Sequence, residues 1–197
     1  MRIIEIKVTL EYIEPPVTRT LQVPADIRLD RLHLTLQAAF GWCNAHLYQF
    51  CVGEPYQMGA ERWVLPDFAD SPEDLPADKT TLSQAIAKAG ASGLTYLYDF
   101  GDDWIHSIKV GGTTDAEPGQ NYPRLTDITG TCPPEDIGGP PGYQMFAEAM
   151  ANPKHPEHNE LKHWYGGAFD PTKPDTDQLR SQVLKLARRW TPKKTVH

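Results

Sequence analysis

Three aspartates and a histidine interrupt an aromatic, strand-like segment, YLYDFGDDWIHSIKV, at residues 96–110. Asp99, Asp102, Asp103 and His106 stand there among Tyr96, Tyr98, Phe100, Trp104 and Ile108. Burying a carboxylate without a partner costs several kcal/mol, so such groups are solvated, paired or put to use. A second imidazole, His46, precedes Tyr48 and Phe50 in HLYQFCV. Two strand histidines near a turn of carboxylates can build a hard-metal or acid/base site, with His46, Asp99, Asp102 and His106 as candidate ligands of a divalent metal. The segment CPPEDIGG adds Glu135 and Asp136, which become candidate general bases if that loop meets the DFGDD turn.

Each of these groups also has a structural use. An aspartate in a tight turn accepts hydrogen bonds from nearby backbone N–H groups, and Gly101 permits a positive φ. In PPEDIGG the prolines fix an extended approach, Asp136 can cap the next turn, and Gly138-Gly139 allow close backbone packing. His33 sits on the edge of an apolar helical stripe and reads as a core histidine with a satisfied ring nitrogen. His155, His158 and His163, spaced i, i+3 and i+8 in a hydrophilic stretch with two prolines, read as a solvated helix end.

Other chemistry is excluded. DFG alone does not make a kinase, because the Gly-rich loop, the strand lysine and the HRD loop are missing. Neither a Walker loop nor GxGxxG is present to cradle a phosphate.

The elements that must position these residues are legible as patterns. Ile4, Ile6, Val8 and Leu10 alternate with polar residues as a half-buried strand, and VTRTLQV resumes after Pro15-Pro16 as its hairpin partner. Leu29, Leu32, Leu36, Ala39 and Phe40 have helical spacing, with Asp26 or Asp30 as the expected N-cap and Gly41 as the stop. Residues 46–52, Leu94–Tyr98 and Trp104–Val110 read as strands, the last two joined by the DFGDD turn. Thr81-Leu-Ser-Gln84 is a capping box opening a short helix that stops near Gly90. A helix is expected around Tyr143–Met150, another ending at Gly166, and a last one at about 176–190. In that last helix Leu179, Val183, Leu186 and Trp190 form one stripe. Strands and helices without regular alternation predict an α+β fold: one domain over 1–197, a mainly antiparallel sheet packed against several helices.

The 197 residues are 40% hydrophobic and carry a formal charge of −7, a globular composition that does not coat nucleic acid over its whole surface. The acidic loop at 66–78 reads as a solvated connection. Cys43, Cys51 and Cys132 lack CxxC spacing and suggest buried thiols in a reducing compartment. Without a signal-type hydrophobic run or a spanning apolar segment, a cytoplasmic location away from membranes is expected. The exception to the acidic balance is the run from Arg180 to Lys194, with six basic residues and no acidic one. Arg180, Lys185, Arg188 and Arg189 on the last helix are the candidate contacts to a nucleic acid or an acidic protein, although a basic helix C-terminus is also favoured by the helix dipole.

LHLTLQAAFGWCNAHLYQF, YLYDFGDDWIHSIKV, YPRLTDITGTCPPEDIGGPPGYQMF and WYGGAFDP occur in that order, and together they resemble the plasmid pRiA4b ORF-3-like family, which includes TnpR-like passenger proteins of insertion sequences. The resemblance runs from Ile4 to about Leu186 and rests on YDFGDxWxH and CPPEDxGGxxGY. It implies an α+β fold with antiparallel strands against helices, and it implies no particular activity. One departure is Thr18, where the family usually carries an aromatic before the arginine. Nothing of serine-recombinase organisation accompanies the TnpR label. Two functions of different class follow: an accessory or regulatory binding module engaging protein or nucleic acid, and a metal-assisted hydrolase built on the His/Asp/Glu cluster.

Overall fold

The alternating N-terminal segments form β1 (Arg2–Leu10) and β2 (Val17–Pro24), an antiparallel hairpin in which Leu10 faces Val17. They are followed by α1 (Leu29–Phe40), β3 (Tyr48–Val52), β4 (Arg62–Val64), β5 (Leu75–Pro76), α2 (Leu82–Ala89), β6 (Leu94–Tyr98), β7 (Trp104–Asp115), β8 (Arg124–Thr129), α3 (Gly139–Ala151), α4 (His158–Tyr165) and α5 (Thr176–Trp190). This computed structural model describes residues 1–191. The eight strands make one sheet of order β5-β4-β3-β6-β7-β1-β2-β8. Its neighbours are antiparallel except β4 and β5. The fold is therefore α+β, with long-range antiparallel pairing at its centre.

One face of the sheet carries the main core. Tyr98 opposes Trp104, Tyr96 opposes His106, and His106 opposes Leu10 across three adjacent strands. Helix α1 lies on this row. His33 stacks on Tyr48 with ring centroids 3.6 Å apart, and Phe40 meets His106 edge-on at 4.8 Å. Leu179, Val183 and Ala187 are the buried positions of α5, which packs against α1 and β8. Trp190 is half-buried, with the Arg31 guanidinium 5.3 Å from its ring.

Several local expectations need correction. Arg28, not Asp26 or Asp30, is the N-cap of α1 and makes no side-chain cap, because a guanidinium has no acceptor to offer the free N–H groups; its backbone bridges to Thr81 and its side chain pairs with Asp30. Gly41 ends that helix in the left-handed conformation at φ 90°. Helix α3 starts at Gly139, four residues before Tyr143, since both prolines fit its first turn. Part of the acidic loop is tied down: Arg62 Nε donates to Asp74 Oδ1 at 2.5 Å, and β5 pairs with β4. Cys43 is exposed, so only Cys51 of the three cysteines is fully buried.

Arg19 is the largest charge in the core. Strand alternation places it on the same face as Val17, Leu21 and Val23, fully enclosed. Its Nε donates to Ala39 O at 2.6 Å, and Nη1 donates to Thr18 O, Thr129 O and Gly130 O at 2.8, 2.8 and 3.1 Å. The first bond satisfies a carbonyl beyond the reach of the α1 ladder. The guanidinium carbon lies 5.0 Å from the Phe40 ring centroid, so four carbonyls and an aromatic face surround a cation that burial makes less basic than usual.

Burial also holds two histidines neutral. Desolvation lowers the His33 pKa to about 4 and that of His106 to about 3. In the unfolded chain both titrate near 6.5, so their contribution is complete above that pH and is lost as pH falls toward the folded values. Acid titration of the unfolding free energy is therefore expected to decline between pH 6.5 and 4, by up to about 1.4 kcal/mol per pH unit for each histidine. His33→Gln should flatten that decline.

Candidate metal centre

Three separate segments build one cluster. The first runs from the end of α1 to β3. Asn44 sits at φ 59° with its N–H on Gln37 Oε1 at 2.9 Å, while Gln37 Nε2 donates to Tyr96 Oη at 3.0 Å. Tyr98 Oη accepts from the N–H groups of Ala45 and His46 at 3.0 and 3.3 Å, and donates to Glu135 Oε1 at 2.6 Å. The buried polar face of β6 thereby fixes the backbone that carries His46. His46 itself lies in a bend two residues before β3 begins, which frees its ring from the sheet.

The second segment is the DFGDD turn. Asp99 and Asp103 both have positive φ, and Asp103 N–H returns to Asp99 O at 2.7 Å. Asp99 Oδ1 accepts from Gly101 N–H at 2.9 Å and Asp102 N–H at 3.3 Å. Its other oxygen, Oδ2, is left facing His46 Nε2 at 3.5 Å. Asp99 thus has the turn role expected of an aspartate and still presents a free oxygen.

The third segment is the proline-braced loop, and the two loops do meet. Gly138 N–H donates to Asp102 Oδ2 at 3.1 Å. A Cβ built on Gly139 would lie 2.4 Å from Asp102 O, so the contact admits only glycine there. That close approach delivers Asp136, at φ 60°, with Oδ1 2.9 Å from His46 Nε2. Among the described residues, His46, Asp99 and Asp136 form a group whose ligand atoms all lie within 4.8 Å of one another. The side chain of Asp99 is 11% exposed, that of His46 29% and that of Asp136 69%, so the cluster opens to solvent on the Asp136 side.

The membership differs from the sequence expectation in two places. His106 does not join the cluster. Its Nδ1 lies 2.9 Å from Trp104 O and 3.2 Å from Tyr96 O inside the core, because strand alternation points it at Phe40. Asp102 does not join it either, being the clasp to Gly138. Asp136 replaces them, as a potential ligand where a general base was expected. Glu135 has both oxygens engaged: Oε2 accepts from Cys43 Sγ at 2.5 Å and Oε1 from Tyr98. That pairing pushes the Cys43 thiol pKa up, and burial together with Glu135 raises the Tyr98 hydroxyl.

Sequence patterns did not single out Tyr98 or Cys43 as supports of the site, nor Arg19 as a buried cation. For Arg19 the signal was available, since VTRTLQV alternates and its arginine falls on the apolar side. The basic residues lie elsewhere. Arg180, Lys185, Arg188 and Arg189 are exposed on α5, and Lys193 and Lys194 fall outside the described residues.

Fold and cluster together define an open-sheet α+β protein whose histidine and two carboxylates converge where the helix-face strands end. The chain belongs to the plasmid pRiA4b ORF-3-like family, whose model matches residues 2–178. It is 45% identical to uncharacterized protein y4hQ of Sinorhizobium fredii, over 97% of this chain and 95% of that one. It also resembles the crystal structure of a protein of unknown function, MM3350, from Methanosarcina mazei Go1, with a TM-score of 0.78 at 26% identity over 89% of this chain and 96% of that one. No helix among the described residues is long and apolar enough to cross a membrane.

Proposed function

We propose that His46, Asp99 and Asp136 hold a divalent metal ion, and that this family member is a metal-binding protein with an open coordination site suited to hydrolytic chemistry. The observation that carries the reading is the direction of the imidazole. Nε2 lies 2.9 Å from Asp136 Oδ1 and 3.5 Å from Asp99 Oδ2, yet it makes no aligned hydrogen bond to either. A simple imidazolium–carboxylate pair would place an oxygen on the ring-nitrogen axis. Oxygens flanking that axis are what a shared ion requires, since the nitrogen and the oxygens then point at a common centre.

One imidazole and two carboxylates suit Mn²⁺, Fe²⁺ or Zn²⁺, and three protein ligands leave room for water or substrate. Such an ion supplies Lewis acidity and a more acidic bound water. The supporting contacts fit the same reading. Backbone N–H groups hold Asp99 Oδ1, and Tyr98 holds the His46 backbone while anchoring Glu135 next to Asp136.

The test is thermal unfolding of metal-free protein with Mn²⁺, Mg²⁺ or Zn²⁺ added. An ion at about 100 times its Kd adds about 2.7 kcal/mol, an increase of about 5–10 °C for a chain of this size. Asp99→Asn keeps the turn acceptor and removes the charge, so it should unfold near the wild-type temperature without metal and lose the increase. No rise with any of the three metals, or an equal rise in the variant, contradicts the reading.

A second reading, an accessory module engaging nucleic acid through α5, is favoured by one observation. Arg180, Lys185, Arg188 and Arg189 are exposed, and none belongs to an ion pair among the described residues. Binding to duplex DNA and to RNA should then weaken steeply with salt. Absence of binding to both at low salt removes this reading.

A further inference from the structure

Tyr48 and Phe50 of β3 point to the helix side of the sheet, where they meet His33 and Tyr96, so strand alternation turns Gln49 and Cys51 to the opposite face. There the two residues line a cleft of about 320 Å³, together with the segment at 54–60, Arg62 and the turn that carries Ser71, Glu73 and Asp74. Gln49 is 4% exposed, and its side-chain amide makes no hydrogen bond to any described residue. Unlike the Trp63 and Trp104 indole N–H groups, which are sealed without a partner, the Gln49 amide keeps accessible surface. Because Gln49 lines the cleft, that surface opens into it. An enclosed amide with nothing to bond is unfavourable and calls for a partner.

The charge around the cleft is negative. Arg62, the cation among its lining residues, is already held by two carboxylates: Nε donates to Asp74 Oδ1 at 2.5 Å, and Nη2 reaches Asp70. Asp74 Oδ2 also accepts from the N–H groups of Asp70 and Ser71 at 3.0 and 3.1 Å. Glu54 and Glu73 line the cleft and belong to no ion pair among the described residues. The Cys51 thiol adds no charge, because burial, and after it the nearby Glu54, raises its pKa to about 12. One cation thus stands against four carboxylates. Neither glutamate converges with other acids, thiols or imidazoles as a set of metal ligands, an arrangement that among the described residues belongs to His46, Asp99 and Asp136. The unmet requirement is for a cation that also donates hydrogen bonds.

We infer that this cleft binds a linear aliphatic diamine, with one ammonium donating to the Gln49 amide oxygen, the other meeting Glu54 or Glu73, and the methylenes lying along Tyr56 and Met58. A single ammonium would leave most of the excess charge unanswered. None of the lining residues is a ligand of the metal ion proposed above, so the two sites stand or fall separately.

The experiment is a calorimetric titration of metal-free protein with putrescine at about 20 mM salt, where surface charge is weakly screened. Putrescine is expected to saturate with a Kd of about 0.1–1 mM, and uncharged butanediol to show no saturation by about 10 mM. Gln49→Leu removes the unmatched amide and keeps an apolar side chain against the sheet. It should unfold at or above the wild-type temperature and bind putrescine about tenfold more weakly. Glu54→Gln and Glu73→Gln, at exposed positions, should each weaken binding about threefold. Saturation by butanediol, an unaltered Kd in Gln49→Leu or in both glutamate variants, displacement of putrescine by an equal concentration of Mg²⁺, or no saturation by putrescine at about 10 mM each overturns the inference.

Discussion

Arg19→Met is expected to destabilise the protein by about 3–5 kcal/mol, one of the two largest single-residue effects foreseen here. Replacing both members of a buried ion pair with apolar residues is often neutral. The situation differs at Arg19, because its partners are backbone carbonyls that remain when the guanidinium goes. Ala39 O lies past the last i→i−4 bond of α1, and Gly130 O lies just beyond β8. Each loses its donor in a water-free setting, at about 1–3 kcal/mol apiece. Methionine fills much of the volume, which keeps the cavity contribution small and isolates the polar one. Urea unfolding should show a lower midpoint with an unchanged m-value. A loss below about 1 kcal/mol would mean that water or neighbouring groups satisfy those carbonyls in the variant.

Gly139→Ala should be comparable in size and more specific in consequence. Gly139 has φ +67°, and the added Cβ would stand 2.4 Å from Asp102 O. The left-handed conformation alone costs an alanine about 1–2 kcal/mol. Relieving the contact requires parting two backbone segments, for a total of about 2–4 kcal/mol. Asp136 lies three residues upstream, so the same movement takes its carboxylate away from His46. The variant should accordingly lose much of the metal-induced rise in unfolding temperature as well as stability. Gly112→Ala is the control, with nothing within 4 Å of its added Cβ, and is expected to stay within about 0.5 kcal/mol of wild type.

How far the sequence reads through to this structure depends on whether the signal is local. Side-chain period identified β1, β2, β6, β7 and the helical stripes, because a two-residue or 3.6-residue repeat is fixed within each segment. The capping box at Thr81 and Gln84 is likewise local, and both of its hydrogen bonds form. The short pairs β4 and β5, of three and two residues, carry too little pattern to stand out from the acidic loop. The N-cap of α1 falls on Arg28 and not on either aspartate, where Arg28 bridges to Thr81, a contact 53 positions away that composition cannot signal.

The site divides in the same manner. His46, Asp99 and Asp136 were all recognisable as chemistry-bearing residues, but their grouping was not. Alternation along β7 already placed His106 in one row with Trp104 and Ile108, the core side of the sheet. Choosing Asp136 over Asp102 required knowing that Gly139 lets the proline-braced loop rest on the turn. That is a tertiary contact between residues 37 apart in the chain, visible in sequence only as a glycine pair.

The central claim is that His46, Asp99 and Asp136 share one ion, and anomalous diffraction from crystals soaked in Mn²⁺ tests it most directly. The account predicts a single strong manganese peak within about 2.0–2.3 Å of His46 Nε2 and of one oxygen from each aspartate. Crystals that show no peak there, or a peak elsewhere with His46 instead hydrogen-bonded in line to Asp136, would contradict it.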